Sequence, residues 1–191
     1  MTFEAEKWNG RYQQDGRHWQ TSQPALLLQQ FGGELPTSGL ALDAAGGVGV
    51  NGLFLAERGL HVIVLDVSEV GLRLAKEQAA ARKLWVETAV VDLSHPWLPP
   101  DAFEVILNFR FLERAAFPVY RQALKRGGWL LFETFVQTGQ PVDQPAYFLQ
   151  PGELAAAFAD FEIIHAAEKA YQGRRSGNLK TTAQLVARKR Q

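Results

Sequence analysis

The chain contains no cysteine. A disulfide scaffold, thiolate metal ligands and a cysteine nucleophile are excluded together. Net charge is absent as well: 20 Lys and Arg balance 20 Asp and Glu. That removes the long-range attraction which draws basic proteins to nucleic acid or anionic membranes, and no nucleic-acid partner is expected. No apolar run reaches the roughly 18 residues that a membrane span needs. The segment from Met1 to Trp19 has no apolar leader core, so a soluble, cytoplasmic protein with no membrane partner is the expectation. His18, His61, His95 and His165 show no metal-ligand spacing, and no metal is expected.

What the sequence does hold is a concentration of glycine at one place. In Leu40-Ala41-Leu42-Asp43-Ala44-Ala45-Gly46-Gly47-Val48-Gly49-Val50-Asn51-Gly52, an apolar run reads as a buried strand ending near Asp43. The glycines then form a tight turn, and Asn51 to Arg58 reads as a helix stopped by Gly59. Strand, glycine turn and helix make a ligand site when the loop backbone must lie against that ligand. Gly47-Val48-Gly49-Val50-Asn51-Gly52 also matches the dinucleotide fingerprint, with Asp66 following at about the expected 20 residues. Taken alone this pattern serves many nucleotide-like ligands, or none.

The remaining elements follow the same alternation. Glu4 to Gln13 is expected to form a short helix, and Pro24 to open a second one carrying Ala25 to Phe31. His61 to Asp66 reads as a doubly covered parallel strand, with Ser68 capping the next helix. Thr88 to Val91 and Phe103 to Leu107 read as strands three and four, ending at Asp92 and Asn108. The main helix after strand four is expected to start near Pro118, and Trp129 to Thr134 is strand five. Residues 135–150 form a long irregular stretch, a length that favours function. Pro151 opens a helix through Phe158, and Phe161 to Ala167 with Thr181 to Ala187 should form an antiparallel hairpin around Gly173, Gly177 and Asn178. The expected fold is α/β: a doubly wound, Rossmann-like, mostly parallel seven-stranded sheet with a C-terminal antiparallel hairpin. At 191 residues the chain is read as one domain, 1–191, with 1–22 as an N-terminal cap arm.

Asp43, Asp66, Asp92 and Asn108 then stand at the carboxyl ends of the first four strands, where open α/β sheets bind ligands. Singly, each reads as a turn or cap residue. Together they suit a nucleoside: Asp66 to accept from ribose hydroxyls, Asp92 with the Leu93 amide to meet an adenine edge. At Asp43, where dinucleotide folds want an apolar residue, a carboxylate would hold an ammonium group or set the loop geometry.

With these residues in place the chain resembles the class I S-adenosylmethionine-dependent methyltransferases, in particular the small branch of tellurite-resistance and thiopurine methyltransferase-like proteins. The resemblance spans about residues 8 to 188. Asp43-Ala44-Ala45-Gly46-Gly47-Val48-Gly49 resembles the family's acidic glycine loop, with Ala45 in place of its first glycine, and Asn51 fits the branch's Gly-x-Gly-x-Asn form. Phe103-Glu104-Val105-Ile106 resembles its fourth strand, and Lys125-Arg126-Gly127-Gly128-Trp129-Leu130-Leu131 its Lys-Pro-Gly-Gly turn. Trp8-Asn9-Gly10-Arg11-Tyr12 is similar to a Trp-x-x-Arg-Tyr segment that closes over the cofactor. Tyr147 to Leu154 is similar to the segment before the branch's penultimate helix.

The resemblance implies S-adenosyl-L-methionine as cofactor, held by Trp8, Arg11, Tyr12, Asp43, Ala45, Gly47, Gly49, Asn51, Asp66, Val67, Asp92, Leu93 and Asn108. It implies methyl transfer to a small-molecule nucleophile in a monomer or weak homodimer. Phe109, Arg110, Phe111, Tyr147 and Phe148 are assigned to the substrate side, with Phe135 beside them and Arg110 and Arg114 as candidates for an anionic group. No catalytic residue is named, because positioning and desolvation suffice for displacement from a sulfonium. Asn108 is not followed by proline, so the Asn/Asp-Pro-Pro-Tyr signature of amino-methylating nucleic-acid and protein-glutamine enzymes is missing. Two alternatives stand: a non-catalytic cofactor-binding or interaction protein, and an NAD-dependent oxidoreductase. The second gives no role to Asp43 or Asp92 and needs a further catalytic domain.

Overall fold

The computed structural model describes residues 2–138, 145–172 and 179–191. Seven strands form one sheet in the order β3-β2-β1-β4-β5-β7-β6. β1 (Leu40–Ala44), β2 (His61–Asp66), β3 (Val86–Val90), β4 (Phe103–Phe109) and the N-terminally irregular β5 (Leu124–Val136) are parallel. β7 (Leu179–Arg188) runs antiparallel between β5 and β6 (Glu162–Gln172). The chain starts at β1, winds outward through β2 and β3, then crosses back to β4. The carboxyl ends of β1 and β4 therefore lie at the switch point, where the connecting loops diverge and leave room for a ligand.

Period-two alternation divides each strand between two cores. Leu42, Ala44, Leu65, Ile106, Leu130 and Phe132 pack beneath α5 (Ala116–Ala123) and α6 (Glu153–Ala157), against Phe117, Tyr120, Leu154 and Phe158. Ala41, Val62, Val64, Val105, Leu107 and Leu131 pack beneath α2 (Leu26–Phe31), α3 (Val50–Ala56) and α4 (Glu69–Arg82), against Leu28, Leu53 and Leu72. Burying a leucine-sized side chain stabilises by roughly 1.5–3 kcal/mol. These two rows therefore hold the strands in register and fix which residues reach the open edge.

Several expected boundaries move. The N-terminal helix α1 runs from Phe3 to Gln20, well past Gln13. Gly10 and Gly16 are poor helix formers, but a side chain at Gly16 would collide with Leu74 of α4, so docking selects glycine there. α2 begins at Leu26, two residues later than Pro24, and α5 at Ala116, with Pro118 inside its first turn. β3 ends at Val90, so Asp92 lies in the following loop. In the 135–150 stretch, β5 continues to Val136, Leu149 bridges alongside it, and Pro145–Tyr147 forms a 3-10 turn. Residues 139–144 of that stretch, and Gly173, Gly177 and Asn178 of the hairpin turn, lie outside the described residues. Among the described residues no helix is long and apolar enough to cross a membrane.

Candidate functional site

The glycine loop is a backbone construction. Ala45, Gly47 and Gly49 all take left-handed φ values, of 52°, 56° and 75°. The loop closes by Gly46 N–H to Leu65 O at 3.0 Å and Gly49 N–H to Gly46 O at 2.9 Å. Glycine suits such angles at no steric cost; Ala45 bears one.

Two buried carboxylates tie this loop down. Asp43 turns beneath it and accepts the Gly52 N–H at 2.8 Å, satisfying one of the free donors at the start of α3. Of the two roles open to Asp43, setting the loop geometry is the one visible here. Asp66 accepts the Gly47 N–H at 2.9 Å with one oxygen and the Ser68 N–H at 2.8 Å with the other. Burial pushes Asp43 up to about 7; the Gly52 bond opposes this and the Asp66 charge adds to it. Burial likewise raises Asp66, against the N–H bonds of Ser68, Gly47 and Val67. The second Asp43 oxygen, Oδ1, is buried with no hydrogen-bond partner. The result is a cradle of two buried carboxylates whose ionisation their burial opposes.

α1 lies across the cradle. Asn9 Oδ1 accepts from Ser68 Oγ at 2.6 Å and from Val70 N–H at 3.3 Å, and Gln20 Nε2 donates to Leu74 O at 2.9 Å. Between these anchors the Tyr12 ring packs on Gly47 and Gly71, with its hydroxyl over Gly47. Burial, then Asp66 and Asp43, push that phenol above its ordinary range, with Arg11 opposing. Trp8 is half-buried with its ring 5.8 Å from Tyr12, and the exposed Arg11 guanidinium lies 5.0 Å from the Trp8 ring. At the other end of α1, Tyr147 Oη reaches Glu4 at 3.5 Å and Lys7 lies 5.8 Å from the Tyr147 ring. The helix thus bridges from α4 to the segment after β5.

The remaining residues divide. Leu93 is buried in the core beneath α5, while Asp92 is exposed. The Ser94 backbone and hydroxyl bonds hold Asp92 below the usual carboxylate range. Asn51 faces α2, accepting the Ala25 N–H at 2.9 Å. Asn108 is engaged at both ends: Nδ2 donates to Phe111 O at 2.7 Å, and Oδ1 accepts from Tyr120 Oη at 3.0 Å. It sets the turn after β4, in which the exposed Arg110 takes a φ of 60°. Phe109 points to the α2 side and Phe111 to the α5 side. Phe148 lies 6.1 Å from Phe135. Arg114 is occupied: it pairs with Glu153 at 2.6 Å and donates to the carbonyls of Ala146 and Phe148.

Asn9 and Ser68, which dock α1, carried no functional assignment from sequence. The spacing of Asn9, Tyr12, Gly16 and Gln20 on one helical face is the signal that would have found Asn9.

Residues 41–128 match a family described as a methyltransferase domain. A phosphoethanolamine N-methyltransferase of Triticum aestivum is 30% identical over 119 residues, which are 58% of this chain and 24% of that protein. The chain therefore spans about a quarter of that curated relative. Among solved structures, TehB from Haemophilus influenzae is similar with a TM-score of 0.77 at 19% identity, covering 96% of this chain and 67% of TehB. A methyltransferase dependent on S-adenosylmethionine from Methanosarcina mazei superposes with a TM-score of 0.69 at 20% identity, over 88% of this chain and 99% of that one. Geranyl diphosphate C-methyltransferase from Streptomyces coelicolor, in a structure with S-adenosyl-L-homocysteine, gives 0.68 at 15% identity over 85% of this chain and 75% of that one. The chain has the class I S-adenosylmethionine-dependent methyltransferase fold, and its fold is related to that of the TehB-like small methyltransferases.

Proposed function

We propose that the protein is an S-adenosyl-L-methionine-dependent methyltransferase acting on a small-molecule nucleophile, with α1 as the cover of its site. The observation that carries this reading is the carboxylate cradle: Asp43 and Asp66 buried against one glycine loop, each raised by burial, with Asp43 Oδ1 unpartnered. Two carboxylates so placed favour a ligand bearing positive charge and disfavour a pyrophosphate. The loop amides of Gly47 and Gly52 already serve Asp66 and Asp43, so they are not free to cradle phosphate as they would in a dinucleotide fold. A cationic nucleoside fits this donor and charge set; NAD does not.

When bound, the cofactor supplies an activated methyl on a sulfonium. The chemistry it would supply is displacement at that methyl, an acceptor's lone pair making the new bond as the electron pair of the carbon–sulfur bond leaves with sulfur. The residues that would hold it are Asp66 and Val67 toward the ribose, Asp92 and Leu93 toward the adenine, and Ala45, Gly47, Gly49 and Tyr12 along the methionine part. Tyr12 and Trp8 exclude water, which strengthens every electrostatic contact beneath them.

Calorimetry tests this directly. Adenosylhomocysteine should bind while NADH gives no heat, and Asp66→Ala should weaken adenosylhomocysteine by roughly 1–3 kcal/mol, since buried donors lose a charged acceptor. Tight NADH binding without adenosylhomocysteine binding would overturn the reading.

A further inference from the structure

On the α2 face of the sheet, the strand register builds a row that nothing in the cofactor cradle uses. Phe109 pairs with Glu133 across β4 and β5, and Glu133 pairs with Gln184 across β5 and β7. Two residues further along β5, on the same face, stands Phe135. Two residues the other way, Leu107, Leu131 and Val186 are fully buried in the core under α2 and α3. Burial stops at the next row, where Phe109, Glu133, Gln184 and Phe135 are all half-buried. That row stands at the carboxyl ends of β4 and β5, two strands from the glycine loop on β1. At about 4.8 Å per strand this is roughly 10 Å, within the reach of one small molecule.

The chemistry of the row is specific. Gln184 Nε2 donates to Glu133 Oε2 at 2.6 Å, which fixes the carboxylate and leaves the Gln184 carbonyl, Oε1, buried with no donor. The amide orientation follows from its partner, because an ionised carboxylate can only accept. A carboxylate and an unsatisfied carbonyl share this face with two aromatic residues, a set that calls for N–H donors and positive charge. The Lys180 ammonium already lies 5.6 Å from the Phe135 ring, so this ring takes a cation in the structure itself. Of the two arginines offered to an anionic acceptor, Arg114 is tied to Glu153, while Arg110 is exposed in the turn just after Phe109.

We propose that Glu133, fixed by Gln184 beside Phe109 and Phe135, is the acceptor-recognition group, and that the substrate is a small organic amine that binds as its ammonium and releases one N–H proton to water, freeing the nitrogen lone pair that takes the methyl group. This rests on the methyltransferase reading and narrows its substrate class. An anionic acceptor would meet the Glu133 charge, and a neutral one would leave that charge without a counter-charge.

The test uses three isosteric probes, 2-phenylethylamine, 2-phenylethanol and phenylacetate, with butylamine, butanol and butyrate as a slimmer set. Each is titrated by ligand-observed NMR into the full chain, alone and with saturating adenosylhomocysteine. The amine of at least one set should bind at least tenfold tighter than its alcohol, with the carboxylate silent. Glu133→Gln should erase that preference while adenosylhomocysteine affinity stays within twofold. Phe135→Leu should weaken the amine severalfold, and Lys180→Ala should tighten it by removing the competing ammonium. Equal binding within each set, preference for a carboxylate, absence of binding by all six, or an amine preference that survives Glu133→Gln would each overturn the proposal. Adenosylhomocysteine binding is read separately in the same samples, so loss of the cofactor reading is distinguishable from loss of the amine.

Discussion

The two halves of the open sheet edge are built from different materials. Around β1 and β2 the site is backbone: left-handed loop residues and amide donors, held by Asp43 and Asp66 from below and beside. Around β4 and β5 it is side chains: Phe109, Glu133, Phe135 and Gln184, brought into one row by strand register. A backbone site recognises a fixed chemical frame and tolerates little change at its glycines. A side-chain site can change its ligand by one substitution while the fold stays intact.

The sharpest way to break that contrast is Gly47→Val. Gly47 has a φ of 56°, where a β-branched residue is a genuine outlier, and its missing side chain leaves the space that the Tyr12 hydroxyl occupies. The substitution should cost more than about a hundredfold in adenosylhomocysteine affinity, or roughly 2.7 kcal/mol. It should also undock α1, seen as faster proteolysis within residues 3–20 and a changed Trp8 and Trp19 emission. Circular dichroism should report an intact sheet. Affinity within tenfold of the parent would mean that the loop does not line the ligand.

This contrast also explains what was legible. The glycine spacing and the acid at the end of each strand are local signals, so β1, β2, the loop and Asp66 stand where the sequence places them. Parallel strands covered on both faces read equally well as short apolar runs. Glu133 and Gln184 are 51 residues apart, and no local pattern announces that they meet. The full length of α1 was hidden for a related reason. Its glycines argue against a helix until Leu74 is known to pack on Gly16, so tertiary docking overrode propensity. Whether Arg114 meets an anionic group or an ion-pair partner was equally illegible, because Glu153, its partner, lies 39 residues on.

A smaller effect probes the charge beneath the loop. The folded protein holds the Asp43 proton to about 7, against an ordinary value of 3.8. The folded state therefore binds more protons than the unfolded chain between those values. The contribution of Asp43 to stability is fully present below about pH 3.8 and lost as pH rises toward 7. Asp43→Asn keeps an acceptor for the Gly52 N–H but cannot ionise. Relative to this variant, the wild type should lose stability on the order of a few kcal/mol between pH 4 and pH 8. Urea unfolding at four pH values measures the difference and cancels the opposite shifts of Asp92, Glu104 and Glu153. A difference independent of pH would show that Asp43 is ionised throughout.

The smallest expected effect compares the halves directly. Ala45 and Arg110, just after β1 and β4, are non-glycine residues with φ of 52° and 60°. A side chain in this region costs roughly 1–2 kcal/mol, partly offset because alanine restricts the unfolded chain more than glycine does. Ala45→Gly should therefore stabilise by about 0.5–1 kcal/mol, a rise in melting temperature of a few degrees at this size. Adenosylhomocysteine affinity should stay within twofold, since the backbone geometry is unchanged. Arg110→Gly relieves the same strain and should give a similar rise. It also removes an exposed cation beside the Phe109–Glu133 row, so the amine probes should bind slightly tighter while adenosylhomocysteine does not respond. If Ala45→Gly instead lowers the melting temperature, the half-buried methyl of Ala45 contributes more through packing than the backbone costs. The loop would then depend on a side chain, as the opposite half does.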